Sequence, residues 1–403
     1  MAAHKHSFPI SARQFAVGLA GYCCFINLYS PQAILPLLSQ EFGVTAAQVA
    51  GVMTAGTLSV ALIAPFAGAA ADVLGRKRVI VTAMVILALP TFMAAIAPTL
   101  PQLIFWRFMQ GLVLPPIFAV TIAYIGDEWP ANEATGAAGV YTSGASLGGF
   151  SGRFFTGLLA DIFGWRIGLM SLAGATLVGA ALVAFLLPRE KKFVKSEGIG
   201  ASLKQMLRHL RNPQLLATYA VGFGVLFNFI STFTYVSFQL ANPPYNLSAT
   251  WLGIVFFVYL TGVAVAPMTG RAIARFGRKR YMIAIIMLWI VGIWLTLAPP
   301  LPVIVLGLAL CAGCGLICQT VSTGYVTITA KTGRSSAVGL YVSSFYIGGS
   351  FGAAGGGIAW TFGGWGACAA MVSVMLLVMA AIVGFTWAAR APTTPAPPPI
   401  QAA

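Results

Sequence analysis

Eight acidic residues serve 403 positions, and none lies beyond Glu197. Charged residues of either sign make up only 8% of the chain, where a soluble domain carries about 25%. That scarcity excludes an ordinary soluble globular protein. The three histidines, His4, His6 and His209, stand outside every apolar run, and so do the acids, which fall in loops or at the ends of runs. No run therefore offers a deeply placed group that titrates near neutrality. The six cysteines all lie inside apolar runs, so no disulfide framework is implied. Cys311, Cys314 and Cys318 recur at helical spacing. A soft-metal or redox site would use such a face, but small packing residues in a helix explain it as well, and no metal is expected. No nucleotide-binding loop and no catalytic constellation are present, which argues against an enzyme or an ATP-driven machine. The net charge of +15 sits in short loops. A nucleic-acid binder concentrates such charge on one solvated face, so no nucleic-acid partner is expected.

What the chain has in abundance is apolar length, with 59% hydrophobic residues. Twelve apolar spans can be drawn, at 14–36, 48–71, 79–98, 102–125, 136–160, 166–187, 214–240, 249–270, 281–298, 301–325, 336–360 and 364–388. As helices rising 1.5 Å per residue, these match a hydrocarbon layer of ~30 Å. With both termini on one side the loops alternate. Of the 23 lysines and arginines, all but Arg107, Arg153 and Arg166 then collect on the side of the termini. Positive loops mark the cytoplasmic face, so both termini are expected inside the cell. The first span is too long for a signal peptide core, and no cleaved leader is expected.

The chain also repeats itself. Gly68-Ala-Ala-Ala-Asp72-Val-Leu-Gly75-Arg76-Lys77-Arg78 returns as Gly270-Arg-Ala-Ile-Ala274-Arg-Phe-Gly277-Arg278-Lys279-Arg280, at an offset of 202. Gly139, Tyr141, Ser143, Gly148, Gly149, Gly152, Gly157, Gly164 and Trp165 return as the same residue types at an offset of 200. The expected fold is thus an all-α membrane protein, twelve transmembrane helices in two pseudo-symmetric six-helix bundles. Its parts are a cytoplasmic tail (1–13), the first bundle (14–187), a cytoplasmic linker with a surface helix (188–213), the second bundle (214–388) and a proline-rich disordered tail (389–403). The repeat fails at several charged positions. Arg153 becomes Ala353, Asp161 becomes Thr361, Asp72 becomes Ala274, and Arg107 has no basic counterpart. Packing glycines recur because both halves pack alike, and charges that occur once are candidates for function.

Arg107 lies about six residues, or ~9 Å, inside the outer end of its span, and Arg153 about seven, or ~10 Å. A guanidinium at that depth costs several kcal/mol unless paired or hydrated. Two such cations at one level call for an anion, and the guanidinium fork suits carboxylate or phosphate. The plainer alternative has them bracing the bundle against backbone carbonyls or Gln110. Asn27, Tyr29, Gln32, Gln110, Asn228 and Tyr235 are further candidates for the lining of a polar cavity.

Three of these stretches resemble signatures of the major facilitator superfamily. They are Gly68-x3-Asp72-x2-Gly75-Arg76-Lys77, Leu103-x3-Arg107-x2-Gln110-Gly111 and Gly139-x8-Gly148-x3-Gly152-Arg153-x2-Thr156-Gly157. The resemblance covers essentially the whole chain and points to the twelve-helix drug:proton antiporters of bacterial inner membranes. It implies two bundles rocking about a central site, usually as a monomer in the lipid bilayer. It also implies a latch on the cytoplasmic side. Here Asp72 would face the start of the eleventh span near Ser335 and Ser336, and Arg76 would pair with Asp127 or Glu128. Gly75, Lys77, Gly277 and Arg278 would complete the turns. The sequence departs from the antiporter pattern at Arg153, where proline is usual, and in lacking a buried carboxylate.

The expected function is secondary active transport of a small organic solute by alternating access. Export is favoured, with an anionic or polar substrate and no cofactor beyond a proton as possible coupling ion. Proton-coupled multidrug efflux, with Asp161, Asp127 or Glu128 taking the proton, and anion uptake or exchange remain alternatives. A non-transporting receptor is a further class.

Overall fold

The computed structural model describes residues 10–67, 75–190, 205–265, 268–330 and 332–387. Asp72, the middle of the linker and the proline-rich tail lie outside the described residues. The first bundle comprises α1 (Ala12–Tyr29), a 3-10 turn (Ser30–Ala33), α2 (Leu35–Glu41), α3 (Ala46–Val49), α4 (Gly51–Ile63), α5 (Arg76–Ala95), α6 (Leu100–Glu128), α7 (Ala131–Phe163) and α8 (Trp165–Leu186). The second comprises α9 (Pro213–Ala241), α10 (Ala249–Val255), a 3-10 turn (Phe256–Val258), α11 (Tyr259–Val265), α12 (Thr269–Phe276), α13 (Arg278–Leu295), α14 (Leu301–Thr329) and α15 (Arg334–Thr386). Helix α15 holds two spans. Its backbone breaks at Gly363 and Gly364, the latter at φ 57°. These elements form twelve membrane-spanning segments in two six-helix bundles. Among the described residues, seven helices, α15 among them, are long and apolar enough to cross a membrane by length and composition alone.

The repeat in the sequence is a repeat in backbone geometry. Gly75 and Gly277 start α5 and α13 at φ 88° and 77°. L side chains rarely adopt such angles, so glycine marks both turns between the second and third spans of each half. The glycines of α7 and α15 serve a different purpose. A Cβ at Gly148 would overlap the carbonyl oxygen of Tyr22, and one at Gly152 that of Ile26. In the second half, Gly348 stands in the same way against Phe223 and Gly352 against Phe227. In each half, the fifth span lies backbone to backbone along the first.

The turns at Gly75 and Gly277 define one end of the molecule, called here the basic end. The two bundles meet along α4 and α15, where the Thr57 and Ser350 hydroxyls lie 2.8 Å apart and Ser343 Oγ donates to the Ala61 carbonyl at 3.0 Å, and again at the opposite end. Gln32 Nε2 donates to Thr234 Oγ1 across the bundles at 3.1 Å. Further out, Asp161 of α7 accepts hydrogen bonds from the backbone amides of Ala249 (3.2 Å) and Thr250 (2.8 Å) and from the Thr250 hydroxyl (2.6 Å). These are the free amides at the start of α10, which a carboxylate satisfies well. Burial pushes the Asp161 carboxyl up. The bonds from Thr250, Ser248 and the two amides outweigh it and hold the group below its ordinary value. Beside this contact, Arg166 pairs with Glu41 at 2.9 Å, which lowers the Glu41 carboxyl as well.

Candidate functional site

A cavity of about 380 Å³ lies between the bundles. Its wall is rich in aromatics, with Phe25, Tyr29, Phe118 and Tyr141 from the first bundle facing Tyr259 and Tyr346 from the second. Gln319, Thr323, Thr142 and Ser146 add polar atoms. The lining along α7 runs from Tyr141 and Thr142 to Arg153. Eleven residues of helix span about 16 Å, so Arg153 stands toward the closed end and Thr142 toward the basic end, where its side chain is exposed.

Arg153 is 2% exposed, and no carboxylate pairs with it among the described residues. Two kinds of contact take the place of a counter-ion. Its Nη1 donates to the Gly149 carbonyl one turn back at 2.6 Å, and Nε and Nη2 donate to Gln32 Oε1 at 2.9 and 2.7 Å. The guanidinium also lies 4.5 Å from the ring centre of Tyr29, 4.6 Å from Phe256 and 4.8 Å from Tyr259. Each ring offers its negative face, a contact of about 0.5–2 kcal/mol. These neutral partners hold the cation in place without cancelling its charge. Of its five N–H bonds, one on each of Nη1 and Nη2 makes no hydrogen bond among the described residues.

Arg107 has a different environment. It is equally buried but is not part of the cavity lining. Its Nη1 donates to the Asn27 carbonyl at 2.9 Å, its Nη2 donates to the Leu28 carbonyl at 2.6 Å, and Gln110 Oε1 accepts a further bond. The cause is Pro31. Proline has no N–H to return to the carbonyl four residues back, so the Asn27 oxygen accepts from the Ser30 hydroxyl at 3.1 Å instead, with room for a second donor, and α1 ends at Tyr29. Arg107 reaches across from α6 to fill the role of a C-terminal cap, where a cation also suits the helix dipole. Asn27 and Gln110 belong to the same buried network. Asn27 Nδ2 donates to Thr176 Oγ1 at 2.8 Å, Thr91 Oγ1 donates to Asn27 Oδ1 at 2.9 Å, and Gln110 Nε2 donates to Thr91 Oγ1 at 2.7 Å.

Of the residues singled out in the sequence, Tyr29 and Arg153 line the cavity. Gln32 stands behind Arg153. Asn228 lies near Met379 Sδ at 3.4 Å, and the Tyr235 hydroxyl donates to the Ala353 carbonyl at 2.6 Å, both away from the lining. Polarity within a span marked buried networks as readily as cavity walls. The ten aromatic residues of the lining carry no such signal, because an aromatic in a membrane span is ordinary.

At the basic end, Arg76 pairs with Asp127, Lys77 N donates to Glu190 Oε2 at 3.4 Å, and Glu128 lies 3.9 Å from Arg13. Arg13 in turn stacks over Trp129 at 3.7 Å. Arg278, on the matching turn, lies 5.7 Å from the ring centre of Tyr325. The second half has no acids, so its turn rests on an aromatic face where the first uses carboxylates.

Three comparisons place this architecture. A family model described as Major Facilitator Superfamily matches residues 17–260 and 225–403. An uncharacterized transporter of Buchnera aphidicola subsp. Schizaphis graminum is 30% identical over 360 residues, covering 89% of this chain and 87% of the relative. The inner membrane transport protein YnfM of Escherichia coli K12 is 31% identical over 371 residues, covering 91% of this chain and 88% of the relative. Among solved structures, the nucleoside transporter NupG superposes with a TM-score of 0.70 at 14% identity, over 92% of this chain and 98% of that one. A bacterial homolog of the human lysosomal transporter Spinster, inward-facing and occupied, gives 0.74 at 14%, over 93% and 96%. The chain belongs to the major facilitator superfamily and is a multi-pass membrane transporter. At these identities the two structures speak for the fold alone.

Proposed function

We propose that the protein is a secondary active transporter that exports an organic anion with an aromatic or apolar body. The observation that carries this reading is Arg153, a guanidinium without a carboxylate partner among the described residues, in an aromatic cavity. A lone charge away from water costs several kcal/mol. It also gives a cargo carboxylate or phosphate a charge-assisted contact about twice as strong as a neutral one. The rings around it suit a flat apolar body, and no described acid lines the cavity to receive a cation. Alternating access would move the cargo. With the bundles joined at the Asp161 end, the cavity would load from the basic end and release after that contact parts. Positive loops would place the basic end and both termini in the cytoplasm, and the Escherichia coli relative, an inner membrane transport protein, supports an inner-membrane location. Energy would come from an ion gradient, a proton being the simplest choice, and a monomer in the bilayer would suffice.

Solute counterflow tests the reading. Proteoliposomes preloaded with 2-naphthoate should accumulate labelled 2-naphthoate when they carry wild type and not when they carry Arg153→Ala. The cation 2-naphthylmethylammonium should move with neither. Counterflow of the cation through wild type, with none of the anion, would overturn it.

A further inference from the structure

Gln32 is fully buried, sits in the 3-10 turn after α1 and does not touch the cavity. Its contacts are nevertheless placed to matter for the cargo. An arginine can only donate, so the Gln32 oxygen must face the fork of Arg153, which it meets at 2.9 and 2.7 Å. That leaves the amide nitrogen to point away from the cavity, and it donates to Thr234 Oγ1 at 3.1 Å. Thr234 belongs to the second bundle and is fully buried. One amide thus links the cavity's cation to the facing bundle at the end where the bundles meet. A glutamate in its place would satisfy the same fork more strongly, and it would cancel the charge that the cavity presents.

We propose that Gln32 is the positioning residue of the transport site: it aims Arg153 into the cavity without neutralising it, and its bond to Thr234 ties the position of that cation to closure of the far end. The inference rests on the anion reading above and adds a coupling route to it. An anion bound to the two spare N–H bonds of Arg153 draws the guanidinium toward the cavity. The Gln32 amide is held at both ends, so it follows or releases one partner. Either movement loosens the bond between bundles beside the Asp161 contact. The cargo's charge, rather than its bulk, then triggers opening.

The test uses the full-length protein with spin labels on cysteines replacing Pro98 and Pro299. These are exposed residues on loops of the two bundles at the far end, and the native cysteines are buried. The probes are 2-naphthoate and the neutral 2-naphthol. In wild type, 2-naphthoate should bind more tightly than 2-naphthol and lengthen the distance between labels. Gln32→Glu should lose about tenfold or more of its 2-naphthoate affinity, keep its 2-naphthol affinity and unfold no earlier than wild type. A merely structural glutamine would not separate the two probes in this way. Thr234→Val should bind 2-naphthoate as wild type does but show no anion-dependent lengthening. Equal 2-naphthoate affinity in wild type and Gln32→Glu, or a wild-type distance response in Thr234→Val, would overturn the proposal. If wild type does not prefer 2-naphthoate, the anion reading itself falls, a result distinct from either of those.

Discussion

Asp161 of the first bundle accepts hydrogen bonds from the main chain of Ala249 and Thr250, the opening residues of a helix in the second bundle, at 3.2 and 2.8 Å. A carboxylate is thus serving as the N-terminal cap of a helix it does not belong to. The closed end of the transporter holds by the same chemistry that starts an ordinary helix. The segment 242–265 carries no Asp, Glu, Lys, Arg or His, so no ion pair competes for Asp161 from that side. Arg166, the nearest cation in sequence, is engaged with Glu41.

Replacing Asp161 should therefore open that end. Asp161→Ala should lengthen the distance between labels at Pro98 and Pro299, at a cost to the closed state of about 1–2 kcal/mol, the usual value of a cap. The dependence on pH follows from the lowered carboxyl. A group whose closed-state value is depressed stabilises that state above the ordinary aspartate value of about 3.9 and loses the effect as pH falls through its own, lower value. The label distance in wild type should stay constant from pH 8 to pH 5 and lengthen only below about 4. A proton that drives transport near neutrality would have to bind elsewhere.

Arg107 and Arg153 should respond in opposite ways to truncation. Arg107→Ala removes the cation's bonds to the Asn27 and Leu28 carbonyls and to Gln110, leaving the Asn27 oxygen with the Ser30 hydroxyl, and should cost about 2 kcal/mol or more of stability, read as an earlier thermal unfolding. The fraction that stays folded should bind 2-naphthoate as wild type does. Arg153→Ala should unfold near the wild-type temperature and bind no 2-naphthoate.

The glycines of the repeat should separate as well. Gly152→Ala pushes a methyl group into the Ile26 carbonyl and should destabilise the protein by about 1–3 kcal/mol. Gly139, equally part of the repeat, has open space where its Cβ would be. Gly139→Ala should be neutral or slightly stabilising, since alanine favours a helix by about 1 kcal/mol over glycine. Thermal unfolding of the two variants side by side decides it.

The six cysteines are buried, and no group of three metal-binding side chains was found among the described residues. A maleimide should therefore label none of them in the folded protein and all of them after denaturation. Labelling of Cys314 in the folded state would revive a chemical role for that helix face.

The fold was legible in the sequence because its signals are long-range and redundant. Apolar length, loop charge and two repeats at nearly one offset each point to twelve helices in two halves. Most of the glycine matches map onto turns, as at Gly75 and Gly277, or onto close helix contacts, as at Gly148, Gly152, Gly348 and Gly352. The site was half legible. Arg153 could be singled out because a lone cation in a span, without a counterpart in the repeat, needs a reason. Arg107 gave the same signal for a different reason, as the answer to Pro31 on another helix. The proline and the arginine are 76 positions apart, and nothing in the chain says that they meet. The cavity wall was hidden because Phe118, Tyr259 and Tyr346 look like any membrane-facing aromatics until the bundles close around them.

The central claim, that Arg153 selects an anion, is most directly tested by thermal unfolding of the purified protein. It would be measured with 2-naphthoate, 2-naphthol and 2-naphthylmethylammonium, in wild type, Arg153→Ala and Arg107→Ala. Stabilisation by 2-naphthoate alone, kept in Arg107→Ala and lost in Arg153→Ala, is the predicted result. Stabilisation by the cation, or by 2-naphthoate to the same degree in Arg153→Ala as in wild type, would contradict it.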